Sequence, residues 1–475
     1  LRLYCWAGYV LMSGASKILM GSGGVDLPSD DEFNNVSFLS HFDGANNGVN
    51  NVFDDGSASN HTLTVTGTPT QGSFSPFSRV DGEWSNYFDG SSDYLTLASS
   101  ADFGMGTGNF TWEGWFYQTY RHGSLWQQLF STDNYSTGNN ISIWLTSSGT
   151  VAIYYVGGSS AFTTTSSFAV NTWTHIAVVR KGTGTNEFSI YINGTAGITG
   201  TMTTDFPDDG IYIARHPTTD AYYYSGYISN FRIVKGTAVY TGDFTLPTSA
   251  LTAISGTSLL TCQSNRFKDN SASAHAVTIV GLPEVRAFTP ILTSKVYDSA
   301  VNGASSYGPT ANSKLTIGSS SDFAYGTGDY TLEGWYYLSE DTSSSNYILE
   351  HSIGATRNIS TVLVTAGSLK FIAAAQTVIA GKDLFQWNHF AVSRTSGVYS
   401  LYYNGTRATT VSDSTSFADS SVSVGAHSAD NYGVIGYLSD IRIVNGTGLY
   451  TDATLTVPTA PLTAVTNTKL LLNMA

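Results

Sequence analysis

The chain has 475 residues and a formal net charge of −14, from 21 basic and 35 acidic residues. With 41% hydrophobic and only 12% charged residues, it does not have the composition of a disordered chain. Lys and Arg form no cluster of the kind that binds phosphates, so we expect no nucleic-acid partner. The length is enough for two or three domains.

The chain begins with a Gly- and Ser-rich lead-in segment, residues 1–35, which includes no basic region typical of a secretory signal. We interpret Met12 as a natural start, and whether residues 1–11 belong to the mature chain stays open. No apolar run is long enough to cross a bilayer. Only Cys5 and Cys262 are present, so we expect no disulfide framework, although a bridge between these two stays open.

Strand patterns follow in the predicted first domain, residues 36–257. The segment FTWEGWFY at 110–117 alternates large and small side chains, and HIAVVR at 175–180 is a continuous apolar run. Asn193-Gly194 lies between two such runs, where a tight turn needs residues that tolerate positive φ. No convincing amphipathic helix is present, and this pattern predicts an all-β antiparallel sandwich.

The predicted second domain, residues 258–475, repeats the first. DFGMGTGNFTWEGWFY, which begins at Asp102, returns as DFAYGTGDYTLEGWYY from Asp322, and WTHIAVVR returns as WNHFAVSR. GYISNFRIVKGTAVYT returns as GYLSDIRIVNGTGLYT, again in the same order. Such ordered self-similarity indicates two copies of one fold. TKLLLNMA, from Thr468, looks like the start of a further unit, and whether the chain continues past residue 475 stays open.

A second repeated element precedes each copy. DDGSASNHTLTVTG and FSPF near the N-terminus match KDNSASAHAVTIVG and FTPI after Ser258. We interpret this element as the linker that opens each unit.

The ordered blocks resemble the laminin G-like domains of the concanavalin A-like lectin/glucanase superfamily. The resemblance implies two tandem antiparallel β-sandwich jelly rolls, a fold used for structure, adhesion or glycan recognition, and a fold alone does not choose among these. The linker motif also resembles multi-domain virion proteins of marine bacteriophages, especially cyanophage tail-fibre or capsid-surface proteins.

Catalysis is weighed first among the candidate functions, because glycoside hydrolases also use this fold. Their chemistry needs two carboxylates about 5 Å or about 6.5–9.5 Å apart. The corresponding strands carry only Glu113 and Glu333, each without an acidic neighbour two residues away. We interpret both as hydrogen-bonding structural residues. His175 and His389, each two residues after a Trp, are also interpreted as structural, so we expect no enzyme.

Calcium is the cofactor that the resemblance implies, through carboxylate and backbone oxygens at the sandwich rim. The candidate ligands are Asp89 and Asp93 in FDGSSDYLTL of the first copy, and the second copy lacks both acids. Asp220 and Asp430 lie in another rim loop. The alternative, which we favour, is that these acids cap their own turns. No other cofactor is expected.

Glycan contact is assigned to exposed aromatic side chains, because a flat ring packs on the face of a sugar. The candidates are Tyr222, Tyr223 and Tyr224, in a run of three before GYISNF, and Trp126 after the FTWEGWFY strand. Half-exposed tyrosines are ordinary in sandwiches, and that is the alternative.

The preferred function is a non-catalytic structural and binding protein on a virion surface or fibre, with recognition of host glycan. Its expected partners are further copies of itself, other virion or filament proteins, and cell-surface carbohydrate. A secreted bacterial adhesin or filament subunit is the alternative, and a carbohydrate-active enzyme is the third.

Overall fold

The structure is a computed structural model that divides into two compact units, Leu1–Gly44 and Ala45–Ala475. The residues that it describes are 4–6, 9–11, 53, 58–132, 139–154, 160–291, 301, 304–340, 345–353, 356–365, 368–373, 376–380, 384–418, 420–429 and 432–473. In the first unit, β1 (Tyr4–Trp6) and β2 (Tyr9–Leu11) pair as an antiparallel hairpin. The rest of the predicted lead-in segment lies outside the described residues.

The second unit contains the two copies. It begins with two short strands, β3 (Thr64–Thr66) and β4 (Thr70–Gly72). The strands that follow, up to the start of the second copy, are β5 (Ser85–Asp89), β6 (Tyr94–Ser100), β7 (Phe110–Gln118), β8 (Gln127–Thr132), β9 (Ser142–Leu145), β10 (Thr150–Tyr154), β11 (Ser160–Ser167), β12 (Trp173–Arg180), β13 (Phe188–Ile192), β14 (Thr195–Gly200), β15 (Asp209–Ile213), β16 (Ser225–Lys235), β17 (Thr257–Thr261), β18 (Thr278–Val280) and β19 (Glu284–Arg286).

The second copy repeats this order. Its strands are β20 (Ser305–Gly308), β21 (Lys314–Ser320), β22 (Tyr330–Leu338), β23 (Asn346–Ile353), β24 (Thr356–Thr365), β25 (Ser368–Ile372), β26 (Gln376–Ala380), β27 (Asn388–Thr395), β28 (Val398–Tyr403), β29 (Thr406–Ser412), β30 (Ser420–Val424), β31 (Gly436–Asn445) and β32 (Thr468–Leu472). A single 3-10 turn follows β6 at Ala101–Phe103, and another follows β21 at Ser321–Phe323.

Each copy is a sandwich of a seven-stranded and an eight-stranded antiparallel sheet. In the first sandwich the orders are β11-β10-β9-β8-β15-β6-β18 and β14-β13-β12-β7-β16-β5-β19, with β17 beside β16. In the second they are β26-β25-β24-β23-β30-β21-β3 and β29-β28-β27-β22-β31-β20-β4, with β32 beside β31. The predicted all-β jelly-roll fold is confirmed.

The core lies between the two sheets, and strand alternation explains it. Phe110, Trp112 and Phe116 of β7 point inward, and the Trp112 ring stacks on Phe130 of the facing sheet at 4.9 Å. Gly114 occupies the remaining inward position, where a Cβ atom would lie 3.2 Å from the Phe231 ring. A period of two with one glycine therefore fills this core without overpacking.

The predicted Asn-Gly turns connect neighbouring strands in both copies. Asn193 and Gly194 have φ of 49° and 78°, and Asn404 and Gly405 have 48° and 90°. The Asn193 side chain also accepts a hydrogen bond from the His175 backbone N–H at 2.9 Å. These two Asn-Gly pairs therefore form hairpin turns.

The repeated linkers join the sandwiches in an order that the sequence did not predict. We call residues 53–77 linker A and residues 267–291 linker B. Linker B contributes β18 and β19 to the sheets of the first sandwich, although it lies beyond the predicted boundary at 257. Linker A, which precedes the first sandwich, contributes β3 and β4 to the sheets of the second.

The two sandwiches of the second unit also contact each other directly. The Trp387 backbone N–H donates to the Asn265 carbonyl at 3.1 Å, and Phe77 packs edge-on against Trp335 at 5.7 Å. Four tryptophans stand in the repeated strand blocks, where both copies must fill an equivalent core, and three of them, Trp115, Trp335 and Trp387, are buried. The fourth, Trp173, is partly exposed because its cover, Phe288, is itself 39% exposed.

Cys262 is a buried free thiol, whereas the side chain of Cys5 lies outside the described residues. None of the helical segments described is long and apolar enough to span a membrane.

Candidate functional site

The outer face of the seven-stranded sheet of the first sandwich carries a row of aromatic side chains. Ile143, Ile153, Ile211 and Leu95 point into the core from four of its strands. Because side chains alternate along a strand, the neighbours of these residues point outward. Those outward neighbours are Trp144 on β9, Tyr154 on β10, Tyr212 on β15 and Tyr94 on β6.

Trp144 is the centre of one cluster on this face. Its ring centroid lies 6.2 Å from Trp126, 6.2 Å from Tyr154 and 5.4 Å from Tyr222. Trp144 itself is only 6% exposed, whereas the other three rings are partly exposed. Within the described residues the Trp144 Nε1 donor has no hydrogen-bond partner. The cluster thus offers edges and faces of three rings above a buried indole.

Tyr222 enters this cluster through an unusual backbone conformation. Its φ is 64°, in the left-handed region that residues other than glycine rarely adopt, and its carbonyl accepts from the Gln128 N–H at 2.8 Å. His216 lies 6.0 Å from the Tyr222 ring. Burial and the charge of Arg215 lower the pKa of His216, so its ring is neutral at pH 7.

A second cluster on the same face surrounds Arg215. Its guanidinium lies 4.6 Å from the centroid of the Tyr94 ring and 5.7 Å from that of Tyr223. Tyr94 also stacks on Tyr212 at 6.0 Å. The exposed Asp220 pairs with Arg215 at 3.5 Å and accepts the Tyr223 hydroxyl. Two tyrosine faces are thereby held by one cation.

Together these side chains form what we call the aromatic patch: Tyr94, Trp126, Trp144, Tyr154, Tyr212, Arg215, Tyr222 and Tyr223. Partly exposed rings supported from beneath offer flat apolar surface with polar tips, which suits a ligand that has both apolar faces and hydroxyl groups.

The second sandwich lacks this patch at the positions that strand register makes equivalent. Tyr94 corresponds to Lys314, Tyr212 to Ser423 and Trp144 to Leu363. The remaining equivalent positions hold Ser345 for Trp126, Ile372 for Tyr154 and Gly433 for Tyr223. Tyr222 alone keeps its ring, as Tyr432. The aromatic patch is therefore a property of the first sandwich and not of the fold.

The four aromatic residues predicted as glycan contacts have different positions. Trp126 and Tyr222 lie together beside Trp144, and Tyr223 lies beside Arg215. Tyr224 is 0% exposed and packs in the core, which places it out of reach of a ligand. The other members of the patch were not singled out from the sequence. Comparison of the two copies position by position is the signal that distinguishes them.

Glu113 and Glu333 lie on the opposite sheet, in two equivalent buried clusters. Arg232 Nε and Nη2 donate to Glu113 Oε1 at 3.0 and 2.5 Å, and the Tyr240 hydroxyl donates to Oε2 at 2.7 Å. His175 Nε2 lies 3.4 Å from Oε2. In the second sandwich Arg442, Tyr450 and His389 surround Glu333 in the same way.

The repeated sequence blocks therefore converge on one ion cluster per sandwich. Burial opposes ionisation of Glu113, but the His175 hydrogen bond and the charge of Arg232 hold its pKa below the usual value. Tyr240 belongs to the loop after β16, so the cluster fixes this loop to the sheet. This arrangement fits the interpretation of Glu113 as a hydrogen-bonding structural residue, which we call a structural clamp.

Asp89 and Asp93 hold their own loop and linker B. Asp89 accepts from the backbone N–H groups of Ser91, Ser92 and Asp93 at 2.8–3.1 Å, and from the hydroxyls of both serines. Partial burial opposes ionisation, yet these bonds lower the pKa of Asp89 to about 2. Asp93 accepts from the N–H of Leu282 at 2.7 Å.

In this structure N–H and O–H groups face the carboxylates of Asp89 and Asp93, and no group of three acidic, His or Cys side chains that could hold a metal is found among the described residues. This arrangement fits the favoured alternative of turn-capping acids. Calcium binding at this loop stays a prediction. Asp220 is exposed and pairs with Arg215, and Asp430 lies outside the described residues.

A family model described as the concanavalin A-like lectin/glucanases superfamily, of the laminin G type, matches residues 88–238 and 309–448. The two matches cover more than half of the chain, one in each sandwich. The chain belongs to this superfamily.

Solved structures with a similar fold include a Bacteroides ovatus protein proposed to bind carbohydrate, with 16% identity, TM-score 0.31, and coverage of 44% of this chain and 60% of that one. Domains LG4-5 of the mouse laminin α1 chain match with 10% identity, TM-score 0.27, and coverage of 80% and 95%. The carbohydrate-binding module CBM66 of Bacillus subtilis matches with 16% identity, TM-score 0.22, and coverage of 36% and 94%. A search of curated proteins gave no match.

Proposed function

We propose that this chain is a non-catalytic surface protein that binds carbohydrate through the aromatic patch of its first sandwich. The observation that carries the proposal is the difference between the two copies. Both keep the fold and the buried Glu–Arg clusters, but at six positions of one outer face the first carries an aromatic side chain where the second does not. A patch that folding does not require is best explained by a ligand.

The chemistry of the patch favours a largely uncharged sugar. Its one cation, Arg215, is already paired with Asp220 at 3.5 Å, and His216 is held neutral by burial and by that Arg. The rings of Trp126, Tyr154 and Tyr222 supply apolar faces, and the phenolic hydroxyls supply polar contacts.

We further propose display on a virion surface or fibre, as the linker motif implies, with a secreted bacterial adhesin or filament subunit as the alternative. Immunogold labelling of purified particles tests this location. Labelled particles support the first, and label confined to bacterial surfaces or filaments supports the second.

The binding proposal is tested on an array of bacterial and algal polysaccharides with the full chain. We expect the Trp126→Ala, Tyr154→Ala double variant to lose at least about tenfold in affinity, because each ring contact contributes about 1 kcal/mol. Tyr432→Ala, at the equivalent rim of the second sandwich, is the matched control and should bind normally. If the wild type binds no polysaccharide, or if both variants lose binding equally, the patch is not the site.

A further inference from the structure

We infer that the second sandwich also accepts linker A from a second copy of this chain, so that chains join by exchange of whole sandwiches. The slot in question is formed by the edges of β20 and β21, on which β4 and β3 of linker A lie. The inference follows from the way in which two equivalent linkers reach equivalent slots from different directions along the chain.

The strand pairing is the same in both slots. In the first sandwich, Thr278–Val280 pairs with Thr96–Tyr94 and Glu284–Arg286 with Tyr87–Ser85. In the second, Thr64–Thr66 pairs with Thr316–Lys314, and Thr70–Gly72 pairs with Tyr307–Ser305. Each residue of one linker thus has a counterpart with the same partner position in the other.

The repeated SAS-x-H motif explains how each linker is fixed. In linker B, the Ser273 hydroxyl donates to Asp102 Oδ2 at 2.8 Å, and His275 Nε2 lies 3.0 Å from the same oxygen. In linker A, Ser59 hydrogen-bonds the equivalent Asp322, and His61 Nε2 lies 3.3 Å from its Oδ2.

Apolar anchors complete the match. Phe53 of linker A is buried in the core of the second sandwich, and Phe267 of linker B in that of the first. Further along, Phe74 packs against Tyr337, Trp387 and Tyr437, at 4.9–5.4 Å. Its counterpart Phe288 packs against the three equivalent rings.

The routes of the two linkers differ, and this difference points to a second copy. Linker B docks on the sandwich that it has just left. Linker A precedes the first sandwich but docks on the second. It brings Thr64 next to Thr316, which lies 252 residues further along the chain. The chain therefore passes through the whole first sandwich between linker A and its slot, and a second copy presents an identical slot.

No described contact is lost in the exchange. The bonds of linker A, the packing of Phe77 on Trp335 and the bond from Trp387 to Asn265 all join the second sandwich to parts that precede it. Each forms equally well when that sandwich belongs to another chain. Within the described residues, the exchange changes only which chain supplies each side of these contacts, as in domain swapping.

Disulfide trapping tests the inference with the full chain. Thr70→Cys with Tyr307→Cys, in a Cys5→Ser background, places thiols on directly opposite residues of β4 and β20. Chains are refolded at increasing concentration, oxidised, and separated on non-reducing gels. While interchain products are a small fraction, a tenfold rise in chain concentration should raise that fraction about tenfold.

The matched control pair is Glu284→Cys with Tyr87→Cys, the equivalent positions in the first sandwich. Since linker B is local, this pair should give only intrachain bonds at every concentration. If the Thr70/Tyr307 pair also stays intrachain throughout, the inference is overturned. If loss of Tyr307 prevents folding, the pair Gln71→Cys and Ser306→Cys tests the same exchange at the neighbouring opposed residues of β4 and β20.

Discussion

Single residues at equivalent positions show how the two copies have diverged inside a shared framework. Asn230 and Asp440 both occupy a bulge with φ of 52°. Asn230 accepts from the Leu251 N–H and donates to the Gly82 carbonyl. Asp440 accepts from the Leu462 N–H in the same way, but it is an acid that is fully buried. Burial raises the pKa of Asp440 to about 6.

This difference predicts a stability change that depends on pH. Well below pH 3.8 Asp440 is protonated in both the folded and unfolded states and does not destabilise the protein. As pH rises from 3.8 to about 6 the unfolded chain loses this proton first, so the free energy of unfolding falls. Asp440→Asn should therefore stabilise the protein by on the order of 2–3 kcal/mol above pH 6, and by much less at pH 4. Denaturant unfolding at both pH values measures it.

The matched variant is Asn230→Asp in the first sandwich. It should destabilise the protein at neutral pH, because a carboxylate would face the Gly82 carbonyl to which the Asn230 amide now donates at 2.8 Å. A gain from Asp440→Asn that is the same at both pH values would contradict the explanation.

The buried glutamates provide a second prediction at the residue scale. Glu113→Gln should destabilise the first sandwich by about 3–5 kcal/mol, because it leaves the Arg232 charge buried without its partner. Glu333→Gln should have a similar effect on the second sandwich, which has the same cluster. Denaturant unfolding measures both.

Reducing-sugar release from polysaccharide distinguishes a clamp from a catalytic acid. We expect none from the wild type. Release that disappears in a variant which still folds would assign these glutamates to catalysis instead.

At the scale of elements, strands and tight turns follow from local chemistry, whereas the routes of the linkers do not. Alternation on β7 and the Asn193-Gly194 turn are visible in the sequence because they depend on neighbours within a few residues. Linker A resembles linker B closely, so its sequence fits either slot, and only the three-dimensional course of the chain decides between them. The patch members that lie on the strands, such as Trp144, were missed for a related reason: SIWL at 142–145 alternates, but alternation does not tell which face is covered.

Phe74 and Phe288 cover two equivalent tryptophans, Trp387 and Trp173, to different extents. We therefore expect substitution of these tryptophans to lower the free energy of unfolding by different amounts. Trp387 is 0% exposed, beneath Phe74 and beside the segment that contains Asn265. Trp173 is partly exposed beneath Phe288 alone. Trp387→Ala should therefore cost about 3–5 kcal/mol, and Trp173→Ala clearly less. Denaturant unfolding of the two variants measures this difference. Equal losses of unfolding free energy would show that the two covers contribute equally to stability.

On the scale of the whole molecule, the sandwiches are equivalent in fold and unequal in surface. Because the aromatic patch is confined to the first sandwich, one chain offers one patch, and several patches require several chains. Shallow sites built from a few rings bind sugars weakly, so under the proposed function tight attachment to a glycan-covered surface requires linked copies. The second sandwich contributes the slot that holds linker A.

Clustering of several chains is therefore expected to slow their dissociation from a polysaccharide strongly. Chains coupled to beads should dissociate from a polysaccharide surface at least about a hundredfold more slowly than free chains, since rebinding by neighbours replaces each lost contact. Surface plasmon resonance on an immobilised polysaccharide from the array measures this. Beads that carry the Trp126→Ala, Tyr154→Ala variant are the control. They should dissociate quickly, because avidity requires that each single patch binds the polysaccharide at least weakly. If wild-type and variant beads dissociate alike, the aromatic patch does not hold glycan, and a purely architectural role for both sandwiches becomes the better account.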